Sequence, residues 1–325
     1  MTIYNEKIEL INRVFKTSVN KNPNMLEEFP LLLSEENDEN LLYFREEKVH
    51  SVVGILYRDF KFGNITLKGS FIGSVCTDDR YRKKGLSSKL LDKALEKMNE
   101  DHVCLSLVSS HKRLYQRKGY IRVSNTVSYT IGKIEDSSIK AYKMDIREIL
   151  KDERLLSYFI KAYNREKHRF VLSNEDIKVS LQSLHARGHI VYMFNKELPE
   201  FIVVRTKDGN GFIKDILGVA EDLDKKLGYI AREFKEVKAF INVFSEKNKE
   251  LQSFCVETAL MPSMVKIINL NCLVHTLNHH GYNIKLVENR VEINGVILTK
   301  DEFTRYLFEK DGKFSFMNVN GLNYQ

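Results

Sequence analysis

The sequence predicts a mixed α/β (α+β) fold, in which mixed central sheets are flanked by helices. The first observation is a strand, a glycine-containing turn and an amphipathic helix in succession between residues 69 and 99. The second is a further strand, followed by a short helix, that ends near residue 120. The third is a later segment that repeats the order of these elements. Alternating strands and helices favour sheets covered by helices.

Each element of the first part follows from a local pattern. Residues 5–20 and 87–99 have apolar residues at near-helical spacing, which predicts two helices. A short helix is expected at residues 111–119, because Gly119 is a typical helix end. Runs of apolar and β-branched residues predict strands at 40–44, 49–57, 69–77, 103–108 and 121–131.

The turn between residues 77 and 87 predicts a binding site for an anion. It contains Arg82, Lys83, Lys84 and Gly85. The first turn of a helix has backbone N–H groups with no partner inside the helix, and the helix dipole favours negative charge there. Gly85 allows the backbone to come close to a phosphate. A solvated basic surface turn is the alternative interpretation.

Two motifs in this part resemble those of the GNAT acetyltransferases. The segment Arg82-Lys83-Lys84-Gly85-Leu86-Ser87 is similar to their pyrophosphate loop, R/Q-x-x-G-x-G/A, with Ser87 in place of the final small residue. The segment Leu114-Tyr115-Gln116-Arg117-Lys118-Gly119-Tyr120 is similar to their Y-x-x-x-G-Y/F element. The two motifs occur in the family's order and separation, and the resemblance covers about residues 25–132.

The resemblance implies that acetyl-CoA is a co-substrate and that an acetyl group passes to an amine. Tyr120 would be the general acid that protonates the departing thiolate, and a backbone N–H of the strand at 69–77 would polarise the thioester carbonyl. The alternative for Tyr120 is a core aromatic residue, and for Cys76 a small buried strand residue is favoured over a nucleophile. The residues implied to bind acetyl-CoA are Ser74, Val75, Cys76, Arg82, Lys83, Lys84, Gly85, Leu86, Ser87, Tyr115 and Gln116.

Residues 135–262 repeat the order helix, helix, strand, strand, strand, helix, strand. At the position of the basic loop they carry Glu221, Asp222 and Asp224, whose negative charges would repel a pyrophosphate. The sequence therefore predicts tandem GNAT folds. The acetyl-CoA site is expected in residues 1–134, and a degenerate GNAT-like domain without such a site is expected in residues 135–262.

Residues 263–325 are predicted to form a small α+β C-terminal domain. The run Met264-Val265-Lys266-Ile267-Ile268-Asn269-Leu270 and the helix after it resemble the entry to the short sterol-carrier-like domain of the enhanced-intracellular-survival (Eis) acetyltransferases. Those proteins join a GNAT domain, a degenerate GNAT domain and that third domain in this order. The resemblance implies that the terminal carboxylate, here on Gln325, is the general base, and that the chain forms a homo-oligomer as large as a hexamer. A frayed terminus is the alternative for Gln325.

Composition argues against several classes of partner. The formal net charge is +7, but 51 basic residues are interspersed with 44 acidic ones, so a nucleic-acid groove is not expected. No run approaches the ~20 apolar residues of a membrane span, and residues 1–15 lack a signal-peptide core. Four widely spaced cysteines favour a cytoplasmic location. No metal is expected, because no cysteine or carboxylate near His275 and His279 completes a ligand set.

Three functional hypotheses remain open at this point. The leading one is an N-acetyltransferase that moves an acetyl group to a primary amine of an aminoglycoside, a polyamine or a lysine, by direct attack of the amine on the thioester. The second is an acyltransferase that acts on a peptide or on a thiol-precursor amine. The third is a non-catalytic CoA-binding sensor. No motif identifies the acceptor, because loops and neighbouring domains build that pocket in the GNAT fold.

Overall fold

The computed structural model of the protein describes residues 1–16, 23–134, 139–195, 197, 199–218, 221–242 and 245–309. The helices within these ranges are α1 (Ile3–Lys16), α2 (Met25–Glu28), α3 (Pro30–Leu33), α4 (Leu86–Glu100), α5 (Arg113–Arg117), α6 (Ile146–Lys151), α7 (Glu153–Arg165), α8 (Asn174–Ala186), α9 (Leu223–Ala231), α10 (Glu246–Phe254), α11 (Leu270–His279) and α12 (Lys300–Phe308). Two short 3₁₀ turns, Glu35–Asn40 and Asp79–Tyr81, precede β1 and α4.

Two long strands pair near the middle of the main sheet. The strands of the described ranges are numbered in chain order. They are β1 (Leu41–Arg45), β2 (Val49–Tyr57), β3 (Phe60–Phe62), β4 (Ile65–Leu67), β5 (Gly69–Thr77), β6 (Leu105–Val108), β7 (Ile121–Ile131), β8 (Ala141–Asp145), β9 (His168–Phe170), β10 (His189–Phe194), β11 (Glu200–Lys207), β12 (Asn210–Leu217), β13 (Val237–Asn242), β14 (Val256–Ile267), β15 (Ile284–Val287), β16 (Arg290–Ile293) and β17 (Val296–Leu298).

The main sheet consists of two halves that exchange strands. Its eleven strands lie in the order β1-β2-β5-β6-β14-β7-β13-β12-β11-β10-β8. The late strand β14 lies between β6 and β7, with which it pairs antiparallel, and the early strand β7 lies between β14 and β13. Each half of the sheet therefore contains one strand that comes, in sequence, from the other half. The predicted boundary after residue 262 falls inside β14.

The same local geometry occurs once in each half. The strands β5 and β6 are parallel, and their pairing ends at Phe71 and Leu107, although β5 continues to Thr77. The parallel strands β12 and β13 likewise stop pairing at Ile213 and Ala239. A β-bulge lies in β5 and another in β12 just beyond these points. Each half thus contains a gap in the sheet where two parallel strands stop pairing beside a bulge.

Helices cover both faces of the first half. Buried residues of α4, namely Leu90, Leu91, Ala94 and Met98, pack with β2, β5 and β6 on one face. On the other face α1 contributes Leu10 and Ile11 to a second core. This layering fixes the gap between β5 and β6 within a rigid frame.

In the second half, a side-chain ion pair occupies the edge of β12 at the gap. The amine of Lys247, on α10, lies 2.9 Å from the Glu166 carboxylate and donates to the backbone oxygen of Ile216. The backbone N–H of Gly218 donates to the same carboxylate at 3.4 Å. These side chains satisfy the backbone oxygen of Ile216 and the backbone N–H of Gly218. That this half lacks a cofactor site stays a prediction.

Replacing Lys247 by methionine should lower the free energy of unfolding by about 1–3 kcal/mol. The reason is that the Glu166 carboxylate, whose side chain is 26% exposed, would lose its partner. Urea unfolding of both proteins would measure the difference. Lys178→Met is the matched control, because Lys178 pairs with Glu175 at the surface and its loss should change stability by no more than about 0.5 kcal/mol. Equal effects of the two changes would contradict the expectation.

The predicted fold class is confirmed, with mixed sheets flanked by helices and a small α+β part at the C-terminal end of the described residues. The strands predicted at 49–57, 69–77 and 121–131 have the bounds observed for β2, β5 and β7. Runs of apolar and β-branched residues also predict strands over 290–298 and 314–318. Residues 290–298 form instead the hairpin of β16 and β17, because Asn294 and Gly295 both have positive φ and form a tight turn. The strand expected at 314–318 lies outside the described residues, as do positions 17–20 of the first helix.

Candidate active site

A cavity of about 380 Å³ lies at the gap between β5 and β6. One wall is the edge of β5, a second comes from the end of β6 and from α5, and a third comes from α1, α2 and α3. The residues that line it are Phe15, Lys16, Met25, Glu28, Phe29, Leu32, Phe71, Ile72, Gly73, Ser74, Val75, Val108, Ser109, Ser110, Lys112 and Tyr115. Its volume is in the range of small-ligand sites.

The bulge in β5 places irregular backbone at this cavity. Ser74 and Val75 together oppose Val53 of β2, and Ser74 has a φ of 51°. A bulge leaves an extra residue outside the regular ladder, which makes its backbone available to a ligand. The Ser74 hydroxyl is also buried without a hydrogen-bond partner among the described residues. Such an orphaned polar atom fits a site that a ligand completes.

Cys76 does not have the properties of a nucleophile. It is buried, and burial raises the pKa of its thiol to about 12. Since the thiolate is the reactive form, the side chain is unreactive at neutral pH. Ser74 and Val75 line the cavity, whereas Cys76 packs in the core beneath it.

The basic loop ends at the first turn of α4. Gly85 has a φ of 75° and precedes the first residue of the helix. Within the part of the chain that the structure describes, no atom lies within 4 Å of the position that a Cβ would take. Arg82, Lys83 and Lys84 are exposed around it. The helix α4 has 15 residues, and its start is open and surrounded by cations. Such a helix start suits a pyrophosphate, which is the ligand that the motif predicts.

The Ser87 hydroxyl belongs to a chain of hydrogen-bonded hydroxyl groups. Its Oγ lies 2.7 Å from Thr77 Oγ1, which lies 2.9 Å from Ser51 Oγ. The chain connects the first turn of α4 to the end of β5 and to β2. Ser87 therefore fixes the distance between the helix start and the strand edge.

Ser87→Ala should lower the free energy of unfolding by about 1 kcal/mol, because it removes the hydrogen bond to Thr77 while the partly buried Thr77 hydroxyl remains. Acetyl-CoA affinity should stay within about threefold of the native value, since backbone N–H groups do most of the binding at a helix start. Thermal unfolding and calorimetric titration would measure the two quantities. Ser88→Ala, at the next position of α4, serves as the control. A large loss of affinity with unchanged stability would show that Ser87 contacts the ligand directly.

The two tyrosines of the second motif have different surroundings. Tyr115 lines the cavity, and burial raises the pKa of its hydroxyl to about 12. Tyr120 is buried among α4 and the strands, and its hydroxyl lies 2.8 Å from Ser106 Oγ on β6. Burial raises the pKa of Tyr120 well above its usual value. The two rings meet edge to face with their centroids 5.9 Å apart, and Tyr120 is not among the residues that line the cavity. Gln116 is exposed on α5.

The sequence analysis did not anticipate an ion pair on the wall formed by the first helices. Lys16 Nζ, at the end of α1, lies 2.6 Å from Glu28 Oε1, at the end of α2. The helix α2 begins with a capping box in which Asn24 and Glu27 bond each other's backbone N–H groups. The sequence Asn-x-x-Glu could have revealed that start, but not the contact of Glu28 with Lys16.

Other predicted features lie elsewhere or outside the described ranges. Gln325 lies outside the described residues, so its role as general base stays a prediction. Within the described ranges, no three side chains of histidine, cysteine, aspartate or glutamate come together as a metal-binding group. In the same ranges, no helix combines the length and the apolar character needed to cross a bilayer.

A family model matches the first part of the chain. Residues 2–123 match the family model described as an acetyltransferase (GNAT) domain. A comparison with curated protein sequences gives no match. The matched residues include those of the cavity, the bulge, the basic loop and both tyrosines, so the match supports the GNAT expectation for this part of the chain.

Solved structures with similar folds cover most of the chain. A GCN5-related N-acetyltransferase from Anabaena variabilis has a TM-score of 0.63 at 16% identity, with 90% of this chain and 81% of that chain covered. A probable N-acyltransferase from Enterococcus faecalis has a TM-score of 0.64 at 14% identity, with 88% and 74% covered. Eis1 from Mycobacterium abscessus has a TM-score of 0.53 at 9% identity, with 77% and 74% covered. At these identities the likeness establishes a shared fold.

Proposed function

We propose that the protein is an N-acetyltransferase that uses acetyl-CoA and attaches the acetyl group to a primary amine by direct attack on the thioester. The observation that carries the proposal is the occurrence of three features in one segment of the chain. The bulged edge of β5 at Ser74 lines a ligand-sized cavity, and the open start of α4 at Gly85 follows the end of the same strand. All three features lie in the segment that matches the GNAT domain.

The chain's own groups can perform the parts of this reaction. The backbone N–H groups at Gly85, Leu86 and Ser87 would hold the pyrophosphate, and Arg82, Lys83 and Lys84 would add positive charge. The edge of β5 at Ser74 and Val75 would pair with the pantetheine arm. A backbone N–H at the bulge would stabilise the charge that develops on the thioester oxygen.

A tyrosine is proposed to assist departure of the thiolate. Tyr120 was the residue predicted from the motif, but Tyr115 is the one that lines the cavity. With a pKa of about 12, Tyr115 keeps its proton at neutral pH. Because a free thiol has a pKa near ~8.5, complete transfer to the finished thiolate would be uphill. The hydroxyl would therefore act as a hydrogen-bond donor while charge develops on sulfur.

The attacking amine must first lose a proton. The resemblance to Eis implies that the terminal carboxylate of Gln325 is this base. The same resemblance implies a homo-oligomer as large as a hexamer. Glu28 is a second candidate, because it is the carboxylate that the described structure brings to the cavity wall.

Release of free thiol from acetyl-CoA tests the proposal directly. The assay should compare aminoglycosides, polyamines, lysine peptides, amino acids and peptides with free N-termini. Turnover with one class would establish the reaction, and turnover only with peptides would favour the alternative acyltransferase. Tight binding of acetyl-CoA without turnover on any amine would overturn the proposal and support the CoA-binding sensor.

A further inference from the structure

The wall of the cavity that faces the bulged strand is apolar apart from one ion pair. Phe15, Met25, Phe29 and Leu32 contribute apolar surface, and Lys16 and Glu28 contribute the two charges. This wall comes from α1, α2 and α3, which are separate from the strand edge and the basic loop proposed to hold acetyl-CoA. The surface is therefore available to the acceptor.

The ion pair can bind a further pair of opposite charges without coming apart. The side chains of Lys16 and Glu28 are only 14% and 20% exposed. A carboxylate can accept about four hydrogen bonds and an ammonium can donate three, so each group retains capacity beyond its partner. The pair is also held in place, since Ser183 Oγ of α8 donates to the backbone oxygen of Glu28 at 2.7 Å.

The charge of the cavity does not suit a polycation. Among the described residues that line it, Glu28 is accompanied by two lysines, Lys16 and Lys112. An acceptor with several ammonium groups would place its second charge near one of these lysines, where like charges repel. An acceptor with one amine and one negative group matches the surface better.

We propose that the acceptor is an α-amino acid with an apolar side chain, such as phenylalanine or leucine; this inference rests on the proposed acetyltransferase function. The α-ammonium group binds Glu28, the α-carboxylate binds Lys16, and the side chain lies against Phe15, Met25 and Phe29. The nitrogen then forms a bond to the thioester carbon as the carbon–sulfur bond breaks. The ammonium ion and acetyl-CoA give the N-acetyl amino acid, the free thiol of CoA and one released proton.

The first experiment compares acceptors that differ in one charged group. The panel contains L-phenylalanine, L-leucine, phenethylamine, spermidine and an aminoglycoside, with acetyl-CoA fixed and thiol release as the readout. Phenethylamine has the amine and the ring of phenylalanine but no carboxylate. We expect kcat/KM for phenylalanine to exceed that for phenethylamine by about 10- to 100-fold, the usual range for one charge-assisted hydrogen bond.

The second experiment asks whether Lys16 causes that preference. In Lys16→Met the ratio of kcat/KM for phenylalanine to that for phenethylamine should fall to within about threefold of unity. A ratio within one variant cancels any general loss of folding or of acetyl-CoA affinity. Lys178→Met, which removes an exposed lysine of α8, should leave the ratio at its native value.

The outcomes separate this inference from the function on which it rests. Turnover of spermidine or of the aminoglycoside without turnover of either amino acid would overturn the inference and leave the acetyltransferase function standing. A native ratio that persists in Lys16→Met would also overturn it. Absence of thiol release with every amine of both panels, while acetyl-CoA still binds, would overturn the function and the inference together.

Discussion

Gly85→Glu should weaken acetyl-CoA binding by at least about 100-fold, or roughly 3 kcal/mol. Two effects act together. Gly85 has a φ of 75°, which costs a residue with a Cβ about 1–2 kcal/mol. The new carboxylate would also lie at the open start of α4, where the proposed pyrophosphate binds, and two anions cannot share that position. Calorimetric titration of acetyl-CoA into both proteins would measure the change.

Two controls separate the charge from the backbone strain. Gly85→Ala introduces the strain without the charge, so most of the affinity should remain. Gly63→Glu places the same side chain on a glycine with a φ of 58° and open space around it, in the turn between β3 and β4. Its affinity for acetyl-CoA should equal the native value. Native-like binding by Gly85→Glu would remove the basis for an anion site at α4.

Tyr115→Phe should lower kcat by about 100-fold while leaving acetyl-CoA affinity within about threefold. Loss of the hydroxyl removes a donor at the cavity but keeps the ring, which packs against Tyr120. Tyr120→Phe should behave differently, because it leaves the buried Ser106 hydroxyl without that partner. That variant should lose about 1–2 kcal/mol of unfolding free energy and little of its rate.

The pair of tyrosine variants decides between the prediction from the motif and the one from the cavity. Steady-state kinetics and urea unfolding should be measured on both proteins. A large loss of kcat in Tyr120→Phe, with a near-native Tyr115→Phe, would restore Tyr120 as the general acid. Near-native rates in both variants would mean that the thiolate departs without help from either phenol.

Local patterns predicted the parts of the fold that local forces determine. The strand over Ile121–Ile131 alternates apolar and polar residues, and the helix after Gly85 has a clear apolar stripe, so both were predicted within one residue. The full extent of β14 could not be predicted in this way. Its first residues pair with β7, which is remote in the sequence, and no local pattern encodes that partner.

In the candidate site, too, local sequence predicted some features and tertiary packing determined the others. The basic loop and the two tyrosines were visible because short motifs carry them. The contact of Lys16 with Glu28 was not, since it depends on how α1 and α2 pack. Which tyrosine reaches the cavity also depends on packing. Gly119, with a φ of 78°, turns the chain between the two tyrosines, and this directs Tyr120 toward Ser106 on β6.

The position of β14 has a consequence for how the protein is made. During synthesis the first half emerges long before Val256–Ile267, which lies more than a hundred residues after β7. The edges of β6 and β7 that pair with β14 therefore stay unpaired until that strand is made. Such late, long-range pairing slows folding and exposes nascent chains to aggregation. A fragment that ends near residue 134 would contain both motifs and still lack the strand that lies between β6 and β7. The chemistry of the first half therefore depends on completion of the second.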